Sequence, residues 1–311
     1  MYTNKSAALK KIKNLIFSPK SEINDFRERL YRAFCVPILP NHVELKEQKY
    51  AGVDCDVLTP EVFSSDKVML YIYGGCFVGG SRESWRNFCA SLAHASSCRV
   101  IVPEMRLAPQ FPFPAALEDV QSVFKDLYER NPGKIILAGD SSGAAILVAM
   151  LLNLKEEFRN VVSHVVLFSP WLDLTLPTTG DGRRRKRSAG EKSDKVLTME
   201  AIMRSAEQYT YESNVSNPLV SPLLSETEKF KGFPPVYIQL GEHELLVEQA
   251  ERLKKKLITC RVPCDLDIWT DQIYLFQMAD EFLADSHLAI EKIGMLIQND
   301  FNEPQHEVKY A

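Results

Sequence analysis

Hydrophobic positions along the chain follow two rhythms. Leu9, Ile12, Leu15 and Ile16 recur at helical spacing, and Ile23, Phe26, Leu30 and Phe34 form a second stripe of the same kind. The first forty residues therefore predict two amphipathic helical pieces. The Pro37–Pro40 stretch then ends helix formation. Beyond it the apolar residues gather in short, nearly continuous runs at 68–72, 100–102, 135–138, 165–168 and 236–240. Such runs suit strands buried on both faces, as in a parallel sheet. Helical segments at about 84–96, 114–130, 142–157, 245–260 and 277–297 lie between and after them. Strand and helix in this alternation predict a doubly wound α/β sandwich.

The rhythm breaks between about 174 and 215. That stretch holds Thr178-Thr179-Gly180-Asp181-Gly182, the basic run Arg183-Arg184-Arg185-Lys186-Arg187, and a helical-looking segment from Met199 to Tyr211. It reads as an insertion. Residues 1–42 and this insertion are expected to form a helical lid over one domain spanning 43–311. The basic run reads as a solvated loop, with a targeting signal or an anionic-surface contact as the other use of such a run. No internal repeat is present.

Composition narrows the class. With 311 residues, 45% hydrophobic and 25% charged, the chain suits one large globular domain or one domain with a lid. A net charge of −4 gives no global field for nucleic acid. Seven cysteines at 35, 55, 76, 89, 98, 260 and 264 show no framework spacing, and no His/Cys cluster accompanies Cys260 and Cys264. They read as reduced thiols, and neither metal nor cofactor is implied. The N-terminus has no apolar signal core, and no run reaches the ~18–20 apolar residues of a membrane span. A cytoplasmic location is expected.

The chemistry centres on Gly139-Asp140-Ser141-Ser142-Gly143, which follows the apolar run 135–138 and precedes the helical Ala144–Leu154. G-x-S-x-G is a weak pattern alone and a strong one between strand and helix, because the sharp turn needs little bulk on either side of the serine. The turn would lift the Ser141 hydroxyl above the carboxyl end of the sheet, where open α/β sheets bind ligands. The amide of Ser142, at the helix start, would face a developing oxyanion. Upstream, the run 68–72 leads into Tyr73-Gly74-Gly75-Cys76-Phe77-Val78-Gly79-Gly80-Ser81, whose small residues let backbone amides approach a ligand oxygen.

These segments resemble the hormone-sensitive-lipase-like serine esterases. The glycine loop is similar to that family's HGGG-F. Arg106-Leu107-Ala108-Pro109 with Phe113-Pro114-Ala115-Ala116-Leu117-Glu118-Asp119 is similar to its R-L-A-P…F-P-A-A-x-x-D segment. The Gly-Asp-Ser-Ser-Gly elbow matches its G-D-S-A-G with one change. Gly241-Glu242-His243-Glu244-Leu245-Leu246 resembles its acid loop, and Trp269 to Gln277 the loop bearing its catalytic histidine. The resemblance covers nearly the whole chain. It implies an α/β-hydrolase fold, Ser141 as nucleophile, Glu244 as the triad acid, and Gly74, Gly75, Cys76 and Ser142 shaping the oxyanion hole. It also places Tyr274 at the histidine position.

Three departures from the family pattern fall at the site. Tyr73 stands at the histidine bracing the oxyanion loop, Cys76 at the third loop glycine, and Tyr274 at the general base. Neutral imidazole accepts a proton near pH 7, whereas a phenol of pKa ~10 is almost wholly protonated there. An adjacent Glu244 anion would raise the phenol further. Tyrosine bases need a nearby cation, and no lysine or arginine stands at a matching position. His243 reads as a structural neighbour in the acid loop, and Cys76 has no histidine in register to activate it. Two functions stay open: a carboxylic-ester hydrolase with strongly impaired or lost hydrolysis, and a non-catalytic small-molecule-binding protein on an esterase scaffold. The partner in either case is a small ester or apolar ligand, and a homodimer is compatible with both.

Overall fold

Eight strands form one sheet in the order β1-β2-β4-β3-β5-β6-β7-β8. The computed structural model describes residues 3–36, 39, 42–64, 67–130, 133–175 and 194–299. In chain order these give α1 (Lys5–Ile12), α2 (Ile23–Phe34), β1 (Val43–Tyr50), β2 (Val53–Pro60), β3 (Lys67–Ile72), α3 (Arg82–Ser96) and β4 (Arg99–Pro103). There follow α4 (Ala115–Arg130), β5 (Lys134–Asp140), α5 (Ser141–Asn153), α6 (Glu156–Arg159), β6 (Val162–Phe168) and α7 (Met199–Tyr209). The series closes with β7 (Val236–Gly241), α8 (Val247–Thr259), β8 (Cys264–Trp269) and α9 (Ala284–Gln298). From β4 through β3, β5, β6 and β7 to β8 neighbouring strands run parallel, while β1 and β2 pair antiparallel and β2 joins β4 antiparallel. The chain therefore has the α/β-hydrolase fold, with a mostly parallel eight-stranded sheet.

The five apolar runs are β3, β4, β5, β6 and β7, and every residue of β7 is buried. Helices α4, α8 and α9 each turn one apolar face to the core, while α3 is buried at ten of its fifteen residues. α5 is different: Ser141 through Leu151 are all buried, so the helix is enclosed on every side. A helix that apolar all round belongs inside a domain.

Sequence periodicity missed three strands and misplaced two helix bounds. β1 is exposed over most of its length, so the polar residues of VELKEQKY carry no core signal. Edge strand β8 reads CDLDIW with partial exposure throughout, and was likewise hidden; β2 completes the missed set. The segment expected as helix from 142 to 157 ends at Asn153 with Leu154 extended. The one expected from 277 begins only at Ala284, after a short 3-10 turn at Phe276–Ala279.

α1 and α2 lie where the N-terminal stripes were read. Phe26, Leu30 and Phe34 of α2 are buried, each worth roughly 1.5–3 kcal/mol relative to exposure. Within the expected insertion, α7 buries Ala201, Ile202, Ser205, Ala206 and Tyr209. The N-terminal segment and α7 meet: the Arg204 guanidinium sits 4.5 Å over the Phe17 ring and donates to the Ser18 carbonyl at 3.4 Å. The segment with Thr178–Gly182 and the basic run 183–187, expected as a solvated loop, lies outside the described residues. No described helix is long and apolar enough to cross a membrane.

Candidate active site

Ser141 occupies the junction where β5 ends at Asp140 and α5 begins. Its φ of +49° marks a left-handed turn that side chains rarely adopt, at a cost of ~1–3 kcal/mol. Packing enforces the turn. A Cβ at Gly143 would stand 2.2 Å from the Ile72 carbonyl oxygen and 2.4 Å from that of Tyr73. One at Gly139 would stand 2.8 Å from Ile72 O. The glycines flanking the serine are thus required because the end of β3 presses directly on the elbow.

Tyr274 reaches this point from the loop after β8. Its hydroxyl donates to Ser141 Oγ at 2.5 Å, and both side chains are buried. The phenol is held well above its ordinary value, first by burial and then by the nearby Cys76 thiol, with the Ser141 hydrogen bond only partly opposing this.

Glu244 lies beyond them on the turn after β7. Its Oε1 accepts from Ser169 Oγ at 2.9 Å and from the Gly241 amide at 2.5 Å. Its Oε2 is buried and makes no hydrogen bond. Burial pushes this carboxyl up to about 8, against the Gly241 and Ser169 donors. Glu244 and Tyr274 are therefore near neighbours without a hydrogen bond between them. Ser169 joins their loops, since its hydroxyl also accepts from the Leu275 amide at 3.3 Å. Sequence reasoning missed Ser169; its only signal was its place just past the apolar run of β6.

Asp140 was also missed. Its Oδ1 gathers three donors: Tyr71 hydroxyl at 2.8 Å, Trp85 Nε1 at 2.9 Å and the Gly74 amide at 3.0 Å. Burial raises this carboxyl to about 7 in spite of them. Gly74 thereby anchors the glycine loop to the elbow, and its own amide is committed to Asp140 rather than to a ligand. Further along the loop, Cys76 and Phe77 have φ of +60° and +64°. The Phe77 amide donates to Ser142 Oγ at 3.1 Å, so the hydroxyl by which this elbow departs from G-D-S-A-G ties the loop down. The amides of Gly75, Cys76 and Ser142 have no hydrogen-bond acceptor among the described residues. Tyr73 is buried, its ring lies 5.3 Å from that of Trp85 at a 32° tilt, and its hydroxyl accepts from the Met105 amide at 3.1 Å.

Two helical segments pack against the glycine loop. The Cys76 thiol donates to the Leu15 carbonyl at 3.5 Å, and Phe77 stacks on Tyr209 of α7 with ring centroids 3.9 Å apart. A cavity of about 320 Å³ reaches Tyr274 from the side of α1, walled by Ala8, Leu9, His243, Ile273 and Leu283. His243 stands on its rim, with Nε2 3.7 Å from Glu242 and from Asp271. Among the described residues these three form the one group with metal-ligand spacing, and its two carboxylates are exposed rim charges. All seven cysteines are free thiols.

Residues 69–278 match the sequence profile of the family described as alpha/beta hydrolase fold. The chain belongs to that family. An esterase of Acinetobacter venetianus is 30% identical over 255 residues, 81% of each chain. An acetyl-hydrolase of Streptomyces hygroscopicus is 29% identical over 239 residues, 76% of this chain and 77% of its own. The crystal structure of an esterase from the bacterial hormone-sensitive lipase family superposes with a TM-score of 0.82 at 28% identity, covering 96% of this chain and all of that one. Within the α/β-hydrolases the chain thus sits on the hormone-sensitive-lipase-like side. In this chain the elbow, the loop after β7 and the loop after β8 bring Ser141, Glu244 and Tyr274 together, with Ser169 linking the last two.

Proposed function

We propose that this protein is a serine carboxylic-ester hydrolase by lineage in which hydrolysis is strongly impaired, because Tyr274 takes the place of the general base. The observation that carries this reading is the 2.5 Å contact from the Tyr274 hydroxyl to Ser141 Oγ. Acylation would require Ser141 Oγ to attack the ester carbonyl while its proton passes to a base. A phenol held above pKa ~10 offers less than about one phenolate in a thousand at pH 7. Nor can it be relayed to the acid. Imidazole has two nitrogens, one for the serine and one to donate to a carboxylate, whereas the phenol has one polar atom, already spent on Ser141. The buried, unpartnered Oε2 of Glu244 is what such a loss leaves behind.

Residual turnover of activated esters fits this reading, since an oxyanion hole and binding alone supply ~10³–10⁴ over water. Gly75, Cys76 and Ser142 would donate the amides, with Gly74 holding the loop. Residues 1–42 and the insertion at about 174–215 would roof the pocket.

A Tyr274→His variant tests the assignment. With a short-chain activated ester near neutral pH, its initial rate is expected to exceed the parent's by ~10²–10⁴-fold. Ser141→Ala in that background should abolish the gain. No gain in a variant of intact fold would mean that Tyr274 is not the cause. High parent activity that disappears on His243→Ala would make His243 the base and overturn the proposal.

A further inference from the structure

Tyr274 belongs to two surroundings at once. On one side its hydroxyl holds Ser141 Oγ at 2.5 Å. On the other it forms part of the wall of the cavity of about 320 Å³, beside Ala8, Leu9, Ile273 and Leu283. Ser141 is not part of that wall, and neither are Gly75, Cys76 and Ser142. Ser141 and Tyr274 are each only 2% exposed, so the serine has almost no contact with bulk water and none with the cavity.

From this arrangement we infer that Tyr274 is a closed partition between the cavity and Ser141, an autoinhibitory contact that bars esters from the serine whether or not a base is present. The inference rests on the reading of Ser141 as nucleophile. It adds that access is lost along with proton transfer.

The loop around the partition is pinned on both sides. Before it, the Gln272 side chain donates to Asp285 Oδ2 at 2.5 Å. After it, the Leu275 amide donates to Ser169 Oγ at 3.3 Å, and Ser286 Oγ donates to the Phe276 carbonyl at 2.6 Å. Gln277 Nε2 donates to Gln239 Oε1 at 3.0 Å, with both side chains fully buried. Opening therefore falls to the Tyr274 side chain and not to the loop. Its one hydrogen bond among the described residues is the contact to Ser141, a bond between neutral hydroxyls and so a weak latch. Removing the ring would join the cavity to the serine, whereas removing the hydroxyl alone would not. That contrast separates a partition from a missing base, since Tyr274→Ala and Tyr274→Phe lack the base equally.

Imidazole, added to the buffer as a diffusible base, tests the partition with p-nitrophenyl acetate near neutral pH. Each rate is taken as the part that Ser141→Ala removes in the same background. In Tyr274→Ala, imidazole should raise this rate about tenfold or more, a share of the ~10²–10⁴ that a positioned base supplies, and the gain should saturate. In the parent and in Tyr274→Phe it should leave the rate unchanged. Circular dichroism checks each fold, and Tyr274→Val replaces the alanine variant if that one does not fold. Rescue of the parent or of Tyr274→Phe to the level of Tyr274→Ala would show that the ring bars nothing, and would overturn the proposal. A folded Tyr274→Ala that imidazole does not rescue would overturn it too. Tyr274→His keeps the two failures apart. A Ser141-dependent gain there without rescue in Tyr274→Ala removes only the partition, whereas no gain in either removes Ser141 as nucleophile as well.

Discussion

At Glu244 a carboxyl whose ordinary value is 4.5 is pushed up to about 8 inside the folded protein. The folded state therefore holds this proton more tightly than the unfolded chain across that interval. Its contribution to stability is fully present below about 4.5 and is lost as pH rises toward 8. Asp140, raised from 3.8 to about 7, acts in the same direction. Thermal unfolding of the parent should show a melting temperature that falls from pH 5 to pH 9. Glu244→Gln keeps the acceptor for Ser169 and Gly241 but has no proton to lose. Its profile should be flatter and lie above the parent's at pH 9, by ~2–4 °C for each kcal/mol relieved. Parallel profiles would mean that Glu244 is ionised in the folded protein. Legibility at this scale was uneven. Ser141 stood out because the turn's steric demand writes glycine at 139 and 143. Asp140 and Ser169 did not, because their partners come from Tyr71, Trp85, Gly74 and Glu244, which only the folded chain assembles.

Among the elements, α2 is tied to the glycine loop by one side chain. Arg27 donates through Nε to the Val78 carbonyl at 2.7 Å, and through a terminal nitrogen to the Ala108 carbonyl at 3.0 Å and Gln110 Oε1 at 2.9 Å. Hydrogen bonds from a charged group contribute ~1.5–3 kcal/mol. Arg27→Ala should accordingly speed amide hydrogen exchange over residues 23–34 and destabilise the protein by about that much in urea. Unchanged exchange in α2 would show that Phe26, Leu30 and Phe34 suffice to dock it. The same contrast explains which elements the sequence disclosed. Helices and strands that turn apolar residues to the core have a period to read, and the central strands have continuous runs. β1 and β8 are set by pairing at the sheet margins, with exposed residues that obey no burial pattern. The 3-10 turn at Phe276–Ala279 has four buried residues in a row and reads as helix by apolarity alone, yet it is held by the loop geometry around Tyr274.

Across the whole molecule, the N-terminal segment behaves as part of the site. Asn4 donates its amide to the Phe282 carbonyl at 2.8 Å, Lys11 pairs with Glu281, and Leu15 accepts from Cys76, so residues 4–15 span from the Tyr274 loop to the glycine loop. Removing residues 1–42 should bare Trp85, on which Phe34 stacks with ring centroids 6.5 Å apart, and raise fluorescence of an apolar-surface dye. A truncated protein that stays dye-silent would show that the segment is not a lid. The sheet edge gathers its chemistry from separate loops: residue 76 from one, 141 from another, 244 and 274 from two more. Each loop is held by its own anchors, so a substitution at 274 should leave the elbow turn and the acid loop in place. Histidine and tyrosine codons differ by a single base. Under the proposed assignment, a single transition in the gene would bring histidine to 274, and the loops already anchored around it would receive the new side chain without being rebuilt.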